Sequence, residues 1–265
     1  MLLYLCSIVT LAFVFTISFV TIKARDLTKQ QALREAQEIA NRYSNVVKSE
    51  IEIALDAART LANAFEGIKI SGESIPSRPT FDAMLKQTLE PNTNFMAVWS
   101  VWEPNALDGQ DAMFINEWGY DETGRYAPYW NRATGFPEVE PMTNYRVSGK
   151  DDFYAQPKAS SKEMVFDPQM YSISGSNVMM TRVVVPIRVQ ENVVGAVGAD
   201  VMLTTFELLV AKLKPFETGS VALISYNGKY AAHPDSKIVL QDVGSSANWA
   251  TAKASIKAGE SFMFV

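Results

Sequence analysis

Residues 22–68 of the chain read IKARDLTKQQALREAQEIANRYSNVVKSEIEIALDAARTLANAFEGI. Apolar side chains recur every three or four residues from Leu27 to Phe65, and charged residues fill the opposite face. No glycine or proline interrupts this pattern before Gly67, so it predicts one long helix over residues 23–69. At about 1.5 Å per residue the helix would be roughly 70 Å long, about twice the diameter of a small domain. Part of it must therefore pack against something other than its own domain.

The residues before this helix, 2–22, read LLYLCSIVTLAFVFTISFVTI and carry no charged side chain. About 20 apolar residues cross the hydrocarbon core of a bilayer, so the sequence predicts a transmembrane helix over residues 1–22. A cleaved signal peptide is the alternative, but a basic start and a small-residue cleavage site are not evident. The basic residues from Lys23 to Arg34 favour a cytoplasmic position for the following flank. We nevertheless expect that flank to be extracytoplasmic, with a few N-terminal residues missing.

The composition excludes several classes of function. The chain has 265 residues and a net charge of −5, and an acidic chain without a basic stripe does not fit a nucleic-acid partner. Its single cysteine, Cys6, lies in the predicted span, and its single histidine, His233, lies in a predicted turn. We therefore expect no disulfide, metal site, cofactor or histidine-based catalysis. An anchored enzyme would need a nucleophile and a base, or paired carboxylates. Asp151 and Asp200 could form such a pair, but no motif supports that chemistry, so we expect no enzyme.

Beyond the long helix the sequence predicts an α+β chain with antiparallel sheets. Aromatic and β-branched runs predict strands over residues 95–102, 112–120, 125–130, 178–189, 192–200, 220–226 and 229–232, and a last strand cut off at 265. Amphipathic segments predict helices over residues 81–89, 202–213 and 247–258. A tight connection is expected at residues 191–192, and Asn227-Gly228 is the strongest hairpin signal in the chain.

The order of these elements indicates two PAS-like modules. A sheet and a helix are followed by a fresh hairpin, with the break near residues 213–219. We expect a ligand-binding module over residues 70–213 and a second module over residues 214–265. The second module lacks a closing strand, so we expect the chain to be a fragment of a longer protein.

The motifs, taken in order, resemble a known sensor family. After the span and the long helix come WEPNALDGQD, GRYAPYWNR, DDFYAQPK, MYSISGSNVMMTRVVVPI and VVGAVGADV. This series is similar to the double-Cache sensor domain, the extracytoplasmic part of bacterial methyl-accepting chemotaxis proteins and related sensor kinases. The resemblance implies an inner-membrane receptor whose ligand binds in the membrane-distal module. It also implies a second span and a cytoplasmic signalling region beyond the present end.

The resemblance also implies where a ligand would bind. Amino-acid sensors of this family use an Arg-x-Trp-Tyr stretch to hold the ligand carboxylate and a later Gly-x-Asp to hold its amino group. Here Phe153-Tyr154 matches the aromatic pair and Asp200 matches the late aspartate, but Asp151 replaces the arginine. Because an acidic group attracts a cation and repels a carboxylate, we predict a cationic amine as the ligand. The predicted site comprises Tyr126, Tyr129, Trp130, Asp151, Phe153, Tyr154, Asp167, Tyr171 and Asp200, and Tyr145 is a further aromatic candidate.

Alternatives to this site remain open. The ligand could instead be a purine stacked on Trp130 or Tyr129, with Asp167 or Asp200 as hydrogen-bond acceptor, or an amino acid bound in another way. Each residue also has a structural interpretation: Tyr129 and Trp130 as sheet core, Asp151 as surface charge, Asp167 as a turn cap. Three arginines, Arg125, Arg132 and Arg146, are read as structural. If one of these arginines held an anionic ligand, the prediction of a cationic ligand would be reversed.

The predicted mechanism is conformational. Ligand closure of the distal module would shift its contacts with the long helix, which continues into the span. Two such helices would pair in a homodimer, and cytoplasmic signalling partners would bind a region outside this chain. A kinase or cyclase output, and a purely structural ectodomain, are the remaining alternatives.

Overall fold

The computed structural model describes residues 2–142, 145, 152–244, 246–260 and 262. Its first element, helix α1, runs without a break over Leu2–Ile70, so the predicted span and the predicted long helix form one continuous helix. In the described part of the chain, α1 is the one helix long and apolar enough to cross a membrane. The apolar side chains at its start are exposed, including Leu11 and Phe15, as expected of a segment that faces lipid.

The C-terminal part of α1 packs against the folded body of the protein. Ala54, Ala58, Ala62 and Phe65 are all fully or almost fully buried, and their spacing of three or four residues puts them on one helical face. This face lies against two strands of the central sheet, β6 and β7, whose bounds are given below. Leu27 belongs to the predicted apolar face of the same helix but is 58% exposed. The apolar face therefore extends past the part of α1 that packs against the folded body.

A seven-stranded antiparallel sheet forms the centre of the fold. Its strands are β1 Phe95–Trp102, β2 Pro128–Asn131, β3 Glu138–Pro141, β4 Met164–Val165, β5 Gln169–Ile173, β6 Ser176–Val189 and β7 Asn192–Met202. The order is β3-β2-β1-β7-β6-β4, with β5 also paired to β6. Helices α2 (Arg78–Leu89), α3 (Ala155–Ser160) and α4 (Leu203–Ala211) connect and flank these strands.

Side chains alternate between the two faces of this sheet and build two separate cores. The face toward α1 and α2 includes Val98, Trp102 and Val183. The other face includes Trp99, Tyr129 and Met180. Because both faces are covered, β1 is buried at every position, which explains why its sequence is apolar except for Ser100.

The predicted strand over residues 112–120 is wrong. That segment forms a short 3₁₀ helix, Asp111–Met113, followed by turns. Its conformation follows from Arg78, whose buried guanidinium pairs with Asp108 at 2.8 Å and Asp111 at 2.7 Å and donates to the carbonyl of Gly124 at 2.8 Å. These charge-assisted bonds fold the segment over the start of α2, a constraint invisible to strand propensity.

Other boundaries also differ from the predictions. The short strands β3, β4 and β5 and helix α3 were not predicted. The connection between β6 and β7 lies at Gln190-Glu191, one residue earlier than expected, with Gln190 in the left-handed region.

The segment after α4 contains a separate two-stranded sheet. Strands β8 (Leu223–Ile224) and β9 (Tyr230–Ala232) pair as a hairpin, shorter than predicted. The turn uses Asn227-Gly228 as predicted, with Gly228 at a φ of +87°. A second 3₁₀ helix, Ser236–Ile238, precedes helix α5 over Ala247–Ala258, the predicted range. The predicted last strand falls mostly on residues 263–265, outside the described residues.

Candidate functional site

A cavity of about 250 Å³ opens on the face of the sheet opposite α1 and α2. Strands β2, β3, β5 and β6 surround it. Its wall consists of Tyr129, Glu140, Pro141, Met142, Tyr171, Ser172, Ile173, Ser174, Met180 and Arg182. The volume suits a small organic molecule. Two of the predicted site residues, Tyr129 and Tyr171, belong to this wall.

Arg182 of the cavity wall forms an ion pair with Asp200, which lies behind the wall. The two residues lie directly opposite each other in the β6–β7 ladder. Arg182 Nε donates to Asp200 Oδ1 and Arg182 Nη2 donates to Asp200 Oδ2, both at 2.7 Å. Asp200 is 0% exposed and Arg182 is 2% exposed. The geometry is the two-pronged arrangement in which arginine holds a carboxylate most firmly.

Two further donors complete the environment of Asp200. Trp99 Nε1 donates to Oδ1 at 3.1 Å, and the hydroxyl of Tyr129 donates to Oδ2 at 2.7 Å. Burial, then the charge of Asp200, raises the pKa of Tyr129 well above its usual value, so its hydroxyl keeps its proton. Burial alone would lower the pKa of Arg182, but the charge and hydrogen bonds of Asp200 outweigh it and the pKa is raised.

The predicted cation cage is assembled around a cation of the protein itself. The guanidinium carbon of Arg182 lies 4.1 Å from the ring centre of Phe153 and 4.9 Å from that of Tyr171. The ring of Trp99 lies 5.2 Å away. These distances are within the range of cation–π contacts. Asp200 and the aromatic residues therefore come together as predicted, but the charge that they surround in the structure is Arg182.

Sequence reasoning missed Arg182, although a signal for it exists. Arg182 interrupts the buried apolar run of β6, whose other arginine, Arg188, lies near the exposed end of the strand, and a single aspartate interrupts the run of β7. Counting outward from the Gln190-Glu191 turn would pair Arg182 with Ala199, but a register shift between Ile187 and Arg188 moves the partner to Asp200. A lone arginine and a lone aspartate in neighbouring buried strands are expected to pair, because each would otherwise be an uncompensated charge.

One nitrogen of Arg182, Nη1, is buried and has no hydrogen-bond partner among the described residues for its two N–H groups. The other charged group on the wall is Glu140, which accepts from Asn131 Nδ2 and from Ser174 Oγ, each at 3.3 Å. The structure gives Glu140 no ion pair with a described lysine or arginine. The cavity wall thus contains an arginine with an unsatisfied buried nitrogen and a carboxylate held by long hydrogen bonds.

Two predicted aromatic residues, Tyr126 and Trp130, lie away from the cavity. Both donate to Asp82 Oδ1 on α2, from the Tyr126 hydroxyl at 3.1 Å and from Trp130 Nε1 at 3.2 Å. Burial raises the pKa of Asp82, although these two hydrogen bonds act in the opposite direction. Both rings pack in the core beside α1 and α2. A stacked purine would therefore have Tyr129 but not Trp130 beside it.

The remaining predicted residues are dispersed. The hydroxyl of Tyr154 donates to Glu103, which also receives Lys158 Nζ at 2.8 Å. Asp167 accepts from Asn227 Nδ2 at 2.7 Å and so contacts the β8–β9 turn, away from the cavity wall. Asp151, which carried the charge argument for an amine, lies outside the described residues.

Comparison with known proteins agrees with this architecture. The family described as "Methyl-accepting chemotaxis protein-like, first PDC sensor domain" matches residues 81–207, the part of the chain that contains the central sheet and its cavity. Over residues 81–207, just under half of its length, the chain is a sensor domain of this Cache type. The fold class, a long N-terminal apolar helix followed by antiparallel sheets, is confirmed.

Individual relatives resemble this Cache domain over different lengths. Methyl-accepting chemotaxis protein TlpQ of Pseudomonas aeruginosa is 28% identical over 144 residues, which are 50% of this chain and 20% of TlpQ. The solved extracellular domain mmHK1S-Z3, described as part of a histidine kinase, is 30% identical with a TM-score of 0.77, covering 86% of this chain and 82% of that one. Methyl-accepting chemotaxis protein X, at 24% identity and a TM-score of 0.71 over 89% of this chain and 85% of its own, shows the fold alone. The chain spans about a fifth or less of the length of the curated relatives that it matches.

Proposed function

We propose that this chain is the ligand-binding sensor of a transmembrane chemoreceptor and that its ligand binds in the 250 Å³ cavity of the central sheet. The observation that carries the proposal is the polar wall of this cavity, which includes Glu140 and buried Arg182, whose Nη1 atom has no hydrogen-bond partner among the described residues. A purely structural ectodomain would gain nothing from a buried, incompletely satisfied arginine beside a cavity.

The ligand that we propose is a small molecule with a protonated amine. Asp200 cannot take the ammonium group, since its oxygens already accept from Arg182, Trp99 and Tyr129. Glu140 is the carboxylate that fits this role, because it lines the cavity and its hydrogen bonds at 3.3 Å are long. The proposed ligand is therefore still a cationic amine, as predicted from the sequence. The residue proposed to hold the amine is now Glu140 instead of Asp151 and Asp200.

The same strands offer a route for the signal. Arg182 projects from β6 toward the cavity, whereas its neighbour Val183 belongs to the core that includes α1. A ligand that moves β6 and β7 would thus change their contacts with α1 on the other face. We propose that α1 anchors the chain in the inner membrane, with the sheet in the periplasm, and that it pairs with α1 of a second copy. Signalling partners and a chemotaxis output would belong to segments of the receptor beyond this chain.

Binding can be tested with the chain purified in detergent micelles. Thermal unfolding would be followed with amines, amino acids, purines and small carboxylates. A ligand at 100 times its dissociation constant stabilises a fold by about 2.7 kcal/mol, which gives a clear rise in the unfolding midpoint. We expect ligands that carry an amine to produce this rise.

The variant Glu140→Gln is expected to abolish the effect, because it removes the negative charge at the cavity wall. Glu138→Gln is the matched control: it removes the same charge two residues earlier on β3, at a side chain outside the cavity. Equal loss in both variants, or stabilisation only by ligands without an amine, would contradict the proposed role of Glu140. Stabilisation by none of the compounds would contradict the sensor proposal.

A further inference from the structure

We propose that Arg182 is a ligand anchor, whose Nη1 atom binds an anionic oxygen of the ligand. This inference rests on the proposed function and deepens it, because it assigns the second end of the bound molecule. The ligand would then carry a carboxylate directed to Arg182 on β6 and an ammonium directed to Glu140 on β3. The family pattern that the sequence resembles assigns the ammonium to the position of Asp200, so this chain would bind its ligand in a different way.

The first step of the argument is the donor count of Arg182. A guanidinium carries five N–H groups. Nε and Nη2 donate to Asp200 at 2.7 Å, and the two N–H groups of Nη1 have no acceptor among the described residues. A buried donor without an acceptor costs free energy, and more when the group is charged. A ligand oxygen at Nη1 would remove that cost, so binding gains more than the new bond alone.

The second step is the acceptor count of Asp200. A carboxylate offers about four lone-pair sites, and Asp200 receives four donors: two nitrogens of Arg182, Trp99 Nε1 and the Tyr129 hydroxyl. An ammonium group would have to displace one of these bonds inside a fully buried cluster. Protein donors therefore occupy the acceptor sites of Asp200. The group left for the ligand at this end of the cavity is Arg182, which selects a hydrogen-bond acceptor on the ligand rather than a donor.

The third step is the position of the two cavity charges. Glu140 lies opposite Tyr129 in the β2–β3 ladder, and Tyr129 reaches across to Asp200 with its hydroxyl. Arg182 and Glu140 both line the cavity but belong to strands that do not pair with each other. A molecule between them meets a positive group on one wall and a negative group on the other. Complementary charges at both ends favour an amphoteric ligand over a simple amine.

The test uses matched ligands on the unaltered chain. β-Alanine and its homologues longer by one or two methylenes would each be compared with the alkylamine and the alkanoate of equal chain length. Affinities would be measured by isothermal titration calorimetry in detergent micelles. We expect one aminocarboxylate to bind about tenfold to a hundredfold more tightly than its amine, as for a hydrogen bond between charged groups. Its alkanoate should also bind more weakly, for lack of the Glu140 contact.

Each of the other possible outcomes contradicts a specific part of the proposal. An amine that binds as tightly as its aminocarboxylate would overturn the role of Arg182 while leaving the proposed sensor function intact. An alkanoate that binds as tightly as its aminocarboxylate would support the proposed role of Arg182 and contradict the proposed role of Glu140. No binding by any member of the series would overturn both.

A variant tests the guanidinium. Arg182→Lys keeps a positive charge next to Asp200 but replaces the planar guanidinium with one ammonium nitrogen, which cannot both hold Asp200 in a bidentate pair and offer a second nitrogen to the ligand. We expect the preference for the aminocarboxylate over the amine to fall to within about twofold. Retention of the full preference in a folded variant would overturn the proposal. If the variant does not fold, the ligand series on the unaltered chain still decides.

Discussion

Arg182 and Asp200 place opposite charges in the interior of the sheet, where each depends on the other. Desolvation of two charges is costly, and only good geometry with further hydrogen bonds offsets it. Both conditions hold here, because the pair is bidentate and Asp200 has two additional donors. Removal of one partner leaves the other charge buried without compensation.

We predict that Asp200→Asn lowers the free energy of unfolding by about 3–5 kcal/mol, the usual cost of breaking a buried ion pair from one side. Chemical denaturation in micelles would measure the change. The double variant Arg182→Met with Asp200→Leu is the control, since it removes both charges and should be less destabilised than Asp200→Asn. A single variant as stable as the unaltered chain would show that the pair is not needed for folding.

Asp82 gives a second prediction, because burial raises the pKa of its carboxyl group. An acid whose pKa is higher in the folded state binds its proton more tightly there. Its contribution to stability is therefore present at low pH and is lost as the pH rises from the unfolded value of 3.8 through the raised folded value.

Asp82→Asn should thus raise the unfolding midpoint at neutral pH, since the amide oxygen can still accept from Tyr126 and Trp130 without burial of a charge. The gain over the unaltered chain should shrink as the pH falls toward 4. Thermal scans of both proteins across this pH range check the sign. A gain that grows on acidification would contradict it.

Among the strands, Gly198 on β7 lets β7 pair closely with β1 beside the ion pair of Arg182 and Asp200. It lies opposite Trp99 in the ladder. A Cβ atom at this position would lie 2.1 Å from Cζ2 of the Trp99 indole, so only glycine leaves room for the ring. The indole crosses the strand here and reaches Asp200.

We predict that Gly198→Ala destabilises the fold by about 1–3 kcal/mol through overpacking and shifts the fluorescence of Trp99. Gly67→Ala is the control. Gly67 lies within α1, with no atom within 4 Å of an added Cβ, and the substitution should stabilise the helix by about 0.5–1 kcal/mol. Similar effects of both substitutions on stability would exclude the proposed contact as the cause.

Periodicity was enough for α1, β1, β6, β7 and α5, because their patterns are long and their packing faces are regular. It failed for residues 112–120, where buried Arg78 decides the backbone. The short strands β3 to β5 carry little pattern of their own and exist because β2 and β6 offer free edges to pair with.

The sequence predicted several residues of the candidate site but not the residue with which they interact. Asp200, Phe153, Tyr129 and Tyr171 do cluster, because the three strand residues face the same side of the sheet and Phe153 packs on that side from the segment before α3. Their partner Arg182 depends on a register shift, which no local pattern reveals. Tyr126 and Trp130 were misplaced because a period of two does not say which face of a sheet meets the cavity.

At the scale of the whole molecule, α1 leaves an apolar strip without cover from its own chain. Val46 is 39% exposed and Ile53 is 47% exposed. Seven residues separate them, which is close to two helical turns, so both lie on one side of the helix. A second α1 packed along this strip would bury it, as the proposed homodimer requires.

We predict that cysteines at positions 46 and 53 each form a disulfide between two copies in the membrane. The native Cys6 would first be replaced by serine, so that the new cysteine is the single thiol in the chain. Val46→Cys and Ile53→Cys should yield covalent dimers on mild oxidation, read out by non-reducing electrophoresis. Lys48→Cys is the control, because its exposed side chain points about 200° around the helix from Val46. If all three variants cross-link to the same extent, collisions rather than a defined helix pair account for the dimers, and α1 would signal without a fixed partner.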